Sequence, residues 1–281
     1  MTTDVPMVDL SIIIVNYNTR ELTQACIDSV FGFVRQCRFE VILVDNASTD
    51  DSRDHFSQDS RITYIYMEEN IGFGRANNRG LEVAGGRNIL FLNPDTLLLD
   101  DAPSRLSSYL DSHPEVGACG GNLLTADMLP NQSFMRYRPS LRMSLHFLTW
   151  NAWYRLRGDR NLTFNFTSTP IPVGYIIGAD LAVRREVLDE VGAFDPDFFL
   201  YYEETDLCDR IARAGYQLHC LPDVRIIHYE GQSIVSDRKK EHMERSRQLY
   251  LEKRYPAWHI ALINALHGLW RLVHDVHHRV R

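Results

Sequence analysis

The first hundred residues alternate short, almost wholly apolar runs with segments in which apolar positions recur every three or four residues. Residues 11–15, 40–44, 62–66 and 88–92 are rich in β-branched side chains, the pattern of strands buried on both faces of a parallel sheet. A helix is predicted to begin at Thr19 as N-cap, with Leu22, Cys26 and Val30 on one stripe, and another to run over residues 76–84 and stop at Gly85-Gly86. Strand-helix repetition of this kind builds right-handed βαβ units, whose ligands bind beyond the carboxyl ends of the strands. Those ends read Asn16-Tyr17-Asn18, Asp45-Asn46-Ala47-Ser48-Thr49-Asp50 and Asn93-Pro94-Asp95, and the third run leads into a glycine loop over residues 70–80 that enters a helix.

The second half is less regular. A strand is expected near residues 116–120, followed by a stretch over 122–172 that is poor in periodicity and carries Phe147, Trp150, Trp153, Tyr154, Phe164 and Phe166. Its length suits either a functional lip or a short helical subdomain burying those rings. Order returns at residues 175–180, with a helix over 184–191, an acidic helix start at Glu203-Glu204-Thr205-Asp206 that closes on Gly215, and two strands over 217–221 and 225–227, the latter ending at His228. From Trp258 onward Leu262, Leu266, Leu269, Val273 and Val276 recur at helical spacing, with Arg271, His274, His278 and Arg279 off that stripe. This basic amphipathic helix suits an anionic membrane surface, docking on its own domain, or a homodimer seam; the membrane reading is adopted here.

With 44% hydrophobic and 24% charged residues over 281 positions, the composition excludes disordered, collagenous and coiled-coil classes. No apolar run approaches the ~18 residues that span a bilayer, and residues 1–10 lack the basic and apolar regions of a secretory signal, so a cytoplasmic location is expected. Of the net charge of −7, residues 1–230 carry −12 and residues 231–281 carry +5. An acidic body argues against nucleic acid as a partner, while the basic tail suits the inner face of the cell membrane. Five cysteines with no C-x-x-C pair fit reduced thiols rather than disulfides or a zinc site.

Asp95, following a buried strand and a proline, suits a divalent-cation ligand, although N-P-D-T also reads as a turn. With the imidazole of His228 it would suit Mn²⁺ or Mg²⁺ completed by phosphate oxygens and water. Glu203, Glu204 and Asp206 favour a helix dipole, or one of them faces the crevice as a general base. Gly72-Phe73-Gly74 resembles a dinucleotide fingerprint but has Asn77 where the third glycine belongs and follows the third strand, so an NAD site is rejected. G-x-S-x-G, Walker A and H-E-x-x-H patterns do not occur.

Residues 11–18 (SIIIVNYN), 44–50 (VDNASTD), 70–78 (NIGFGRANN), 92–95 (LNPD), 178–180 (GAD), 192–195 (GAFD), 202–208 (YEETDLC) and 228–231 (HYEG), taken in order, resemble glycosyltransferase family 2, especially its rhamnosyltransferase-like branch. The resemblance implies an α/β GT-A fold: a Rossmann-like, mostly parallel central sheet flanked by helices, here with a C-terminal amphipathic helical extension. It divides the chain into a nucleotide-sugar half (residues 1–100), an acceptor and catalytic half in the same continuous domain (101–232) and the extension (233–281). It implies inverting transfer of a sugar from a UDP- or dTDP-sugar to a glycan or lipid-linked saccharide. By the same resemblance Asp45 contacts the base, Asp95 and His228 hold the cation, Glu204 deprotonates the acceptor with Glu203 as rival, Asn16, Gly72, Asn77 and Asn93 lie at donor positions, and Gly178 and Ala179 line the sugar. A non-catalytic nucleotide-sugar-binding scaffold on the same fold is the competing expectation.

Overall fold

The computed structural model describes residues 8–149, 161–229 and 237–279. The four apolar runs form β1 (Leu10–Asn16), β2 (Phe39–Asp45), β3 (Thr63–Tyr66) and β4 (Asn88–Leu92), all parallel, in the order β3-β2-β1-β4. Helices α1 (Arg20–Phe33), α2 (Ser52–Phe56), α3 (Phe73–Leu81) and α4 (Ala102–Ser112) intervene or follow. The apolar runs lack alternation because both faces are covered. On one face Ile12, Ile14, Leu43 and Leu90 pack with Cys26 and Ile27 of α1 and Leu106 of α4; on the other, Ile13, Val44 and Phe91 pack with Ala76 of α3.

The sheet continues through the second half as one nine-stranded layer. Strand β5 (Thr96–Leu98) leaves the first half to reach the far edge, and β6 (Val116–Leu124), β10 (Asp180–Arg184) and β11 (Gln217–His228) complete the path β4-β10-β6-β11-β5, with β8 (Ile171–Pro172) pairing β11. The sheet is therefore parallel in its first half and mixed beyond it, because β10 runs antiparallel to β4 and β6. The two strands expected over 217–227 are one strand whose register breaks between Leu221 and Arg225, where Pro222 has no N–H to give the ladder. Helices α6 (Arg185–Val191) and α7 (Glu203–Arg213) cover the same face as α3 through Val187, Leu207 and Ile211.

The aromatic stretch contains the strand pair β7 (Phe134–Met135) and β9 (Tyr175–Ile176), and α5 (Leu141–Leu148), whose N-cap Ser140 accepts from the Met143 N–H at 3.3 Å. Trp150, Trp153 and Tyr154 lie outside the described residues. Two helices, α8 (Asp237–Arg254) and α9 (Ala257–Arg279), form the extension. They dock on the body, burying Tyr250, Leu251 and Ile263 with Phe198, while Trp270 of α9 meets Phe147 of α5 with ring centroids 6.0 Å apart. The line facing the body is thus Ile260, Ile263 and Trp270, displaced from the predicted stripe, of which Leu262 and Leu269 are 44% and 47% exposed. Two apolar lines run along α9, and counting one of them from sequence does not say which is used. No helix among the described residues is long and apolar enough to cross a membrane. All five cysteines are free thiols.

One buried acid marks the sheet centre. Asp180 is fully enclosed in β10, with Oδ2 accepting from the Gly121 N–H at 2.6 Å and Oδ1 without a partner. Burial pushes its carboxyl well above the ordinary range, so the folded chain holds a proton there that the unfolded chain releases once pH exceeds about 4. Stability contributed by this site is therefore present below that pH and declines by up to ~1.4 kcal/mol per pH unit as pH rises toward the folded value. Asp180→Asn is expected to be more stable than the native chain at pH 8 by urea denaturation, with the difference vanishing near pH 4; a pH-independent difference would contradict this.

Candidate active site

The sequence places Asn93-Pro94-Asp95 directly before β5, and β5 pairs antiparallel with the end of β11 so that Thr96 stands opposite His228. That register forces Asp95 and His228 together: Nε2 lies 3.3 Å from Asp95 Oδ1, and the Tyr229 N–H donates to the Asp95 carbonyl at 2.9 Å. Asn93 Nδ2 lies 3.4 Å from the same Nε2. Asn93 Oδ1 and His228 Nδ1 are buried with no hydrogen-bond partner among the described residues. A carboxylate, an imidazole and orphaned polar atoms on one crevice wall fit Mn²⁺ or Mg²⁺, whose remaining positions oxygen donors of a substrate and water would fill. Among the described residues no cluster of three or more His, Cys, Asp or Glu that could hold a metal ion exists.

The second group of candidate residues is the first turn of α7, which carries Glu203, Glu204 and Asp206. Tyr201 and Tyr202, immediately before it, both adopt left-handed backbone, with φ of 68° and 70°. Such conformations cost roughly 1–3 kcal/mol each and persist where surrounding structure imposes them. Here the Ser246 hydroxyl donates to the Leu200 carbonyl at 2.7 Å, and the Phe73 N–H donates to the Phe199 carbonyl at 2.9 Å, so the turn is gripped by α8 on one side and α3 on the other. The result aims two adjacent acids in different directions. Glu204 lies over Gly178, where an added Cβ would sit 3.6 Å from its Cβ and Cγ. Glu203 turns toward Gly74 and Phe194, is 4% exposed, and leaves Oε2 unpartnered. Burial raises both carboxyls above the usual glutamate range; Glu203 is raised further because the Glu204 charge adds to its burial, while backbone N–H groups and the Thr205 hydroxyl partly offset the rise at Glu204. Burial together with the neighbouring charge thus favours the neutral form of Glu203. Asp206, the third acid, is fully buried and paired with Arg210 at 2.8 Å and with Arg254, which makes it an anchor of α7 to α8.

The two groups are joined through Ala179, whose carbonyl accepts from the Asn93 N–H at 3.0 Å. One chain of contacts thus runs from Glu204 over Gly178 and Ala179 to Asn93, His228 and Asp95. The other sequence-predicted residues are placed differently. Asp45 is fully buried, with Oδ1 accepting from the Ser48 N–H and Oδ2 from the Tyr64 hydroxyl, both at 2.9 Å. Asn16 Oδ1 accepts from the Thr19 and Thr23 hydroxyls at 2.9 Å, and its Nδ2 donates to Ser48 Oγ at 3.0 Å. Asn77 donates to the Phe73 carbonyl at 3.1 Å within its own helix. These side chains shape the donor-side turns from beneath. Gly72 has φ of 89°, and a Cβ there would lie 2.4 Å from the Phe199 carbonyl oxygen, so only glycine lets this loop close against the turn into α7. Sequence reasoning missed Tyr64, Asn46 and Asn70. Asn46 bridges to Asn70, donating to its Oδ1 at 2.9 Å and accepting from the Ile71 N–H at 3.0 Å. The signal for this pair was two asparagines at successive strand ends.

The fold is that of the GT-A glycosyltransferases. GalNAc-T7, solved with UDP, GalNAc and Mn²⁺, superposes with a TM-score of 0.65 at 15% identity over 89% of this chain, which spans about half (48%) of that structure. A mannosyltransferase from Pyrobaculum calidifontis, solved with GDP-Man and Mn²⁺, superposes at 0.60 with 19% identity over 94% of this chain and 70% of that one. The model of glycosyl transferase family 2 matches residues 11–192, and the chain belongs to that family. Its relatives include the N-acetylglucosaminyl-diphospho-decaprenol L-rhamnosyltransferase of Mycobacterium tuberculosis, 27% identical over 78% of this chain and 76% of that protein. They also include the dTDP-rhamnosyl transferase RfbF of Shigella flexneri, 23% identical over 79% and 70%. The chain is a rhamnosyltransferase-like member of the family.

Proposed function

We propose that the chain is an inverting, cation-dependent glycosyltransferase that moves a sugar, rhamnose by the names of its relatives, from a dTDP- or UDP-sugar to a hydroxyl of a lipid-linked saccharide or glycan. The observation that carries this reading is the contact of Asp95 with His228 across the β5-β11 pair, linked through Asn93, Ala179 and Gly178 to Glu204. Asp95 and His228 would hold Mn²⁺ or Mg²⁺, which when bound neutralises the leaving diphosphate. Asn93 lies beside that corner with an acceptor oxygen unspent. Gly72 and the turns under Asn16, Asp45 and Asn77 keep the backbone open to the nucleotide, and Gly178 with Ala179 leaves room for the sugar. Glu204, kept near its neutral form by burial until pH exceeds the ordinary carboxylate range, takes the acceptor proton as that oxygen attacks the anomeric carbon. Burial and the Glu204 charge favour the neutral form of Glu203, which limits the negative charge beside the base. The outward Trp258, Leu262 and Leu269 of α9 and the basic tail support peripheral attachment to the inner face of the cell membrane.

Calorimetric titration of UDP-, dTDP- and GDP-sugars, each with Mn²⁺, Mg²⁺ or EDTA, tests the reading. A uridine or thymidine donor bound only with cation is the expected result. Cation-independent binding of every donor would refute the roles of Asp95 and His228.

A further inference from the structure

A cavity of about 640 Å³ lies where α5, α8 and α9 meet the turn into α7. Met143 and Phe147 of α5, Met243 and Leu251 of α8, and Ile263 and Trp270 of α9 give it a mostly apolar wall. Its size is that of a small-molecule site, roughly 300–1,000 Å³, and methionine-rich walls adapt to flexible apolar chains. Lys240 and Arg247 also line it, offset by Glu241 and Glu244. None of Asn93, Asp95, Gly178, Glu204 or His228 belongs to its wall, so the transfer chemistry does not explain the space.

Tyr202, two residues before Glu204 and held in left-handed backbone, also lines the cavity. Burial pushes its phenol up to about 12, with Arg247 opposing and the charges of Glu204 and Glu244 adding. The ring that lines the cavity thus stands in the same turn that positions Glu204. The opposite side of α9 presents Trp258, Leu262 and Leu269 to solvent, at 67%, 44% and 47% exposure. A hydrocarbon chain leaving a membrane that touches this outer side would have one helix to cross before reaching the cavity.

We infer that the cavity holds the hydrocarbon chain of the acceptor lipid, so that its sugar is delivered past Tyr202 to Glu204. The inference rests on the glycosyltransferase reading above and adds where the acceptor's lipid lies. A bulk phospholipid is the weaker occupant because Tyr202, two residues before Glu204, lines the cavity, and only a molecule carrying the reacting hydroxyl has a use near the base. The donor is excluded by position, since the cation corner and the glycine loop contribute nothing to the wall. Lys240 and Arg247 suit an anionic linkage between lipid and sugar.

The test uses the full chain and two acceptors with the same sugar diphosphate, one on a long polyprenyl chain and one on a soluble chain of two isoprene units. Met143→Trp, which fills the cavity, is expected to raise KM for the long acceptor about tenfold while KM for the short acceptor, KM for the donor and kcat with the short acceptor stay within about twofold. Met243→Trp, at the exposed edge of the cavity, serves where Met143→Trp lowers the melting temperature. An equal shift for both acceptors, or none, overturns the proposal. In the native chain a benzophenone-bearing polyprenyl diphosphate should label peptides containing Met143 or Met243, with protection by unlabelled polyprenyl diphosphate and not by phospholipid vesicles. Labelling confined to the Trp258 and Leu262 side and competed by phospholipid, or no labelling, also overturns it. Labelling needs no turnover, so a chain that fails to use any donor yet labels at Met143 would refute the transferase reading and leave the lipid site standing.

Discussion

Glu204→Gln is expected to lower kcat by about 10²–10⁴-fold with donor affinity unchanged, the magnitude of losing a positioned general base. Glu203→Gln, one residue away, should stay within a few-fold of the native rate. The asymmetry follows from geometry: Glu204 lies over Gly178, while Glu203 is buried against Gly74, where burial and the Glu204 charge favour its neutral form. A glutamine at 203 reproduces the shape and neutrality of what it replaces. The pH profile gives a second readout. Turnover requires ionised Glu204, so kcat/KM should be full at high pH and fall as pH drops through a value above the usual glutamate range, because burial disfavours the charged form. Steady-state kinetics of both variants between pH 5 and 9 decide the assignment; a large loss at Glu203→Gln with little at Glu204→Gln would reverse it.

Asp95→Ala should remove the cation dependence of donor binding and lower kcat/KM by roughly 10³-fold, since charge neutralisation at a leaving diphosphate is worth several kcal/mol. His228→Ala should weaken cation affinity about 10–100-fold and keep residual turnover at high Mn²⁺. The inequality is expected because the carboxylate brings charge and the imidazole only a neutral donor. Calorimetric titration of Mn²⁺ with donor present measures both, and an Asp95→Ala chain with native cation affinity would remove Asp95 from the site.

The parallel half of the sheet was legible in the sequence because strands covered on both faces have little room for polar residues, so residues 12–15 and 41–44 read as unbroken apolar runs. The pairing of Asp95 with His228 was not legible from spacing, since 132 positions separate them and only the long-range register of β5 on β11 joins them. Family resemblance linked them first; the ladder supplies the physical reason. The choice between Glu203 and Glu204 also needed coordinates, because neighbours on a helix point about 100° apart and the phase is set by the left-handed Tyr201-Tyr202 turn. Asp45 and Asn16 sit at strand ends as expected, yet their side chains are spent on Ser48, Tyr64, Thr19 and Thr23. A pattern of polar residues at strand termini reveals where a crevice lies, not which side chains face into it. The same limit applied to α9, where Ile263 faces the body and Leu262, its neighbour, faces away.

The proposed mechanism is a single displacement in which Glu204 deprotonates the acceptor and no group of the chain attacks the sugar. The anomeric configuration of the product, read by proton NMR with a donor of known configuration, tests it most directly. Inversion, with no glycosylated protein detected by intact-mass measurement during turnover, is the predicted result. Retention, whether by two successive displacements or by attack on the face the diphosphate leaves, would contradict the in-line displacement assigned to Glu204.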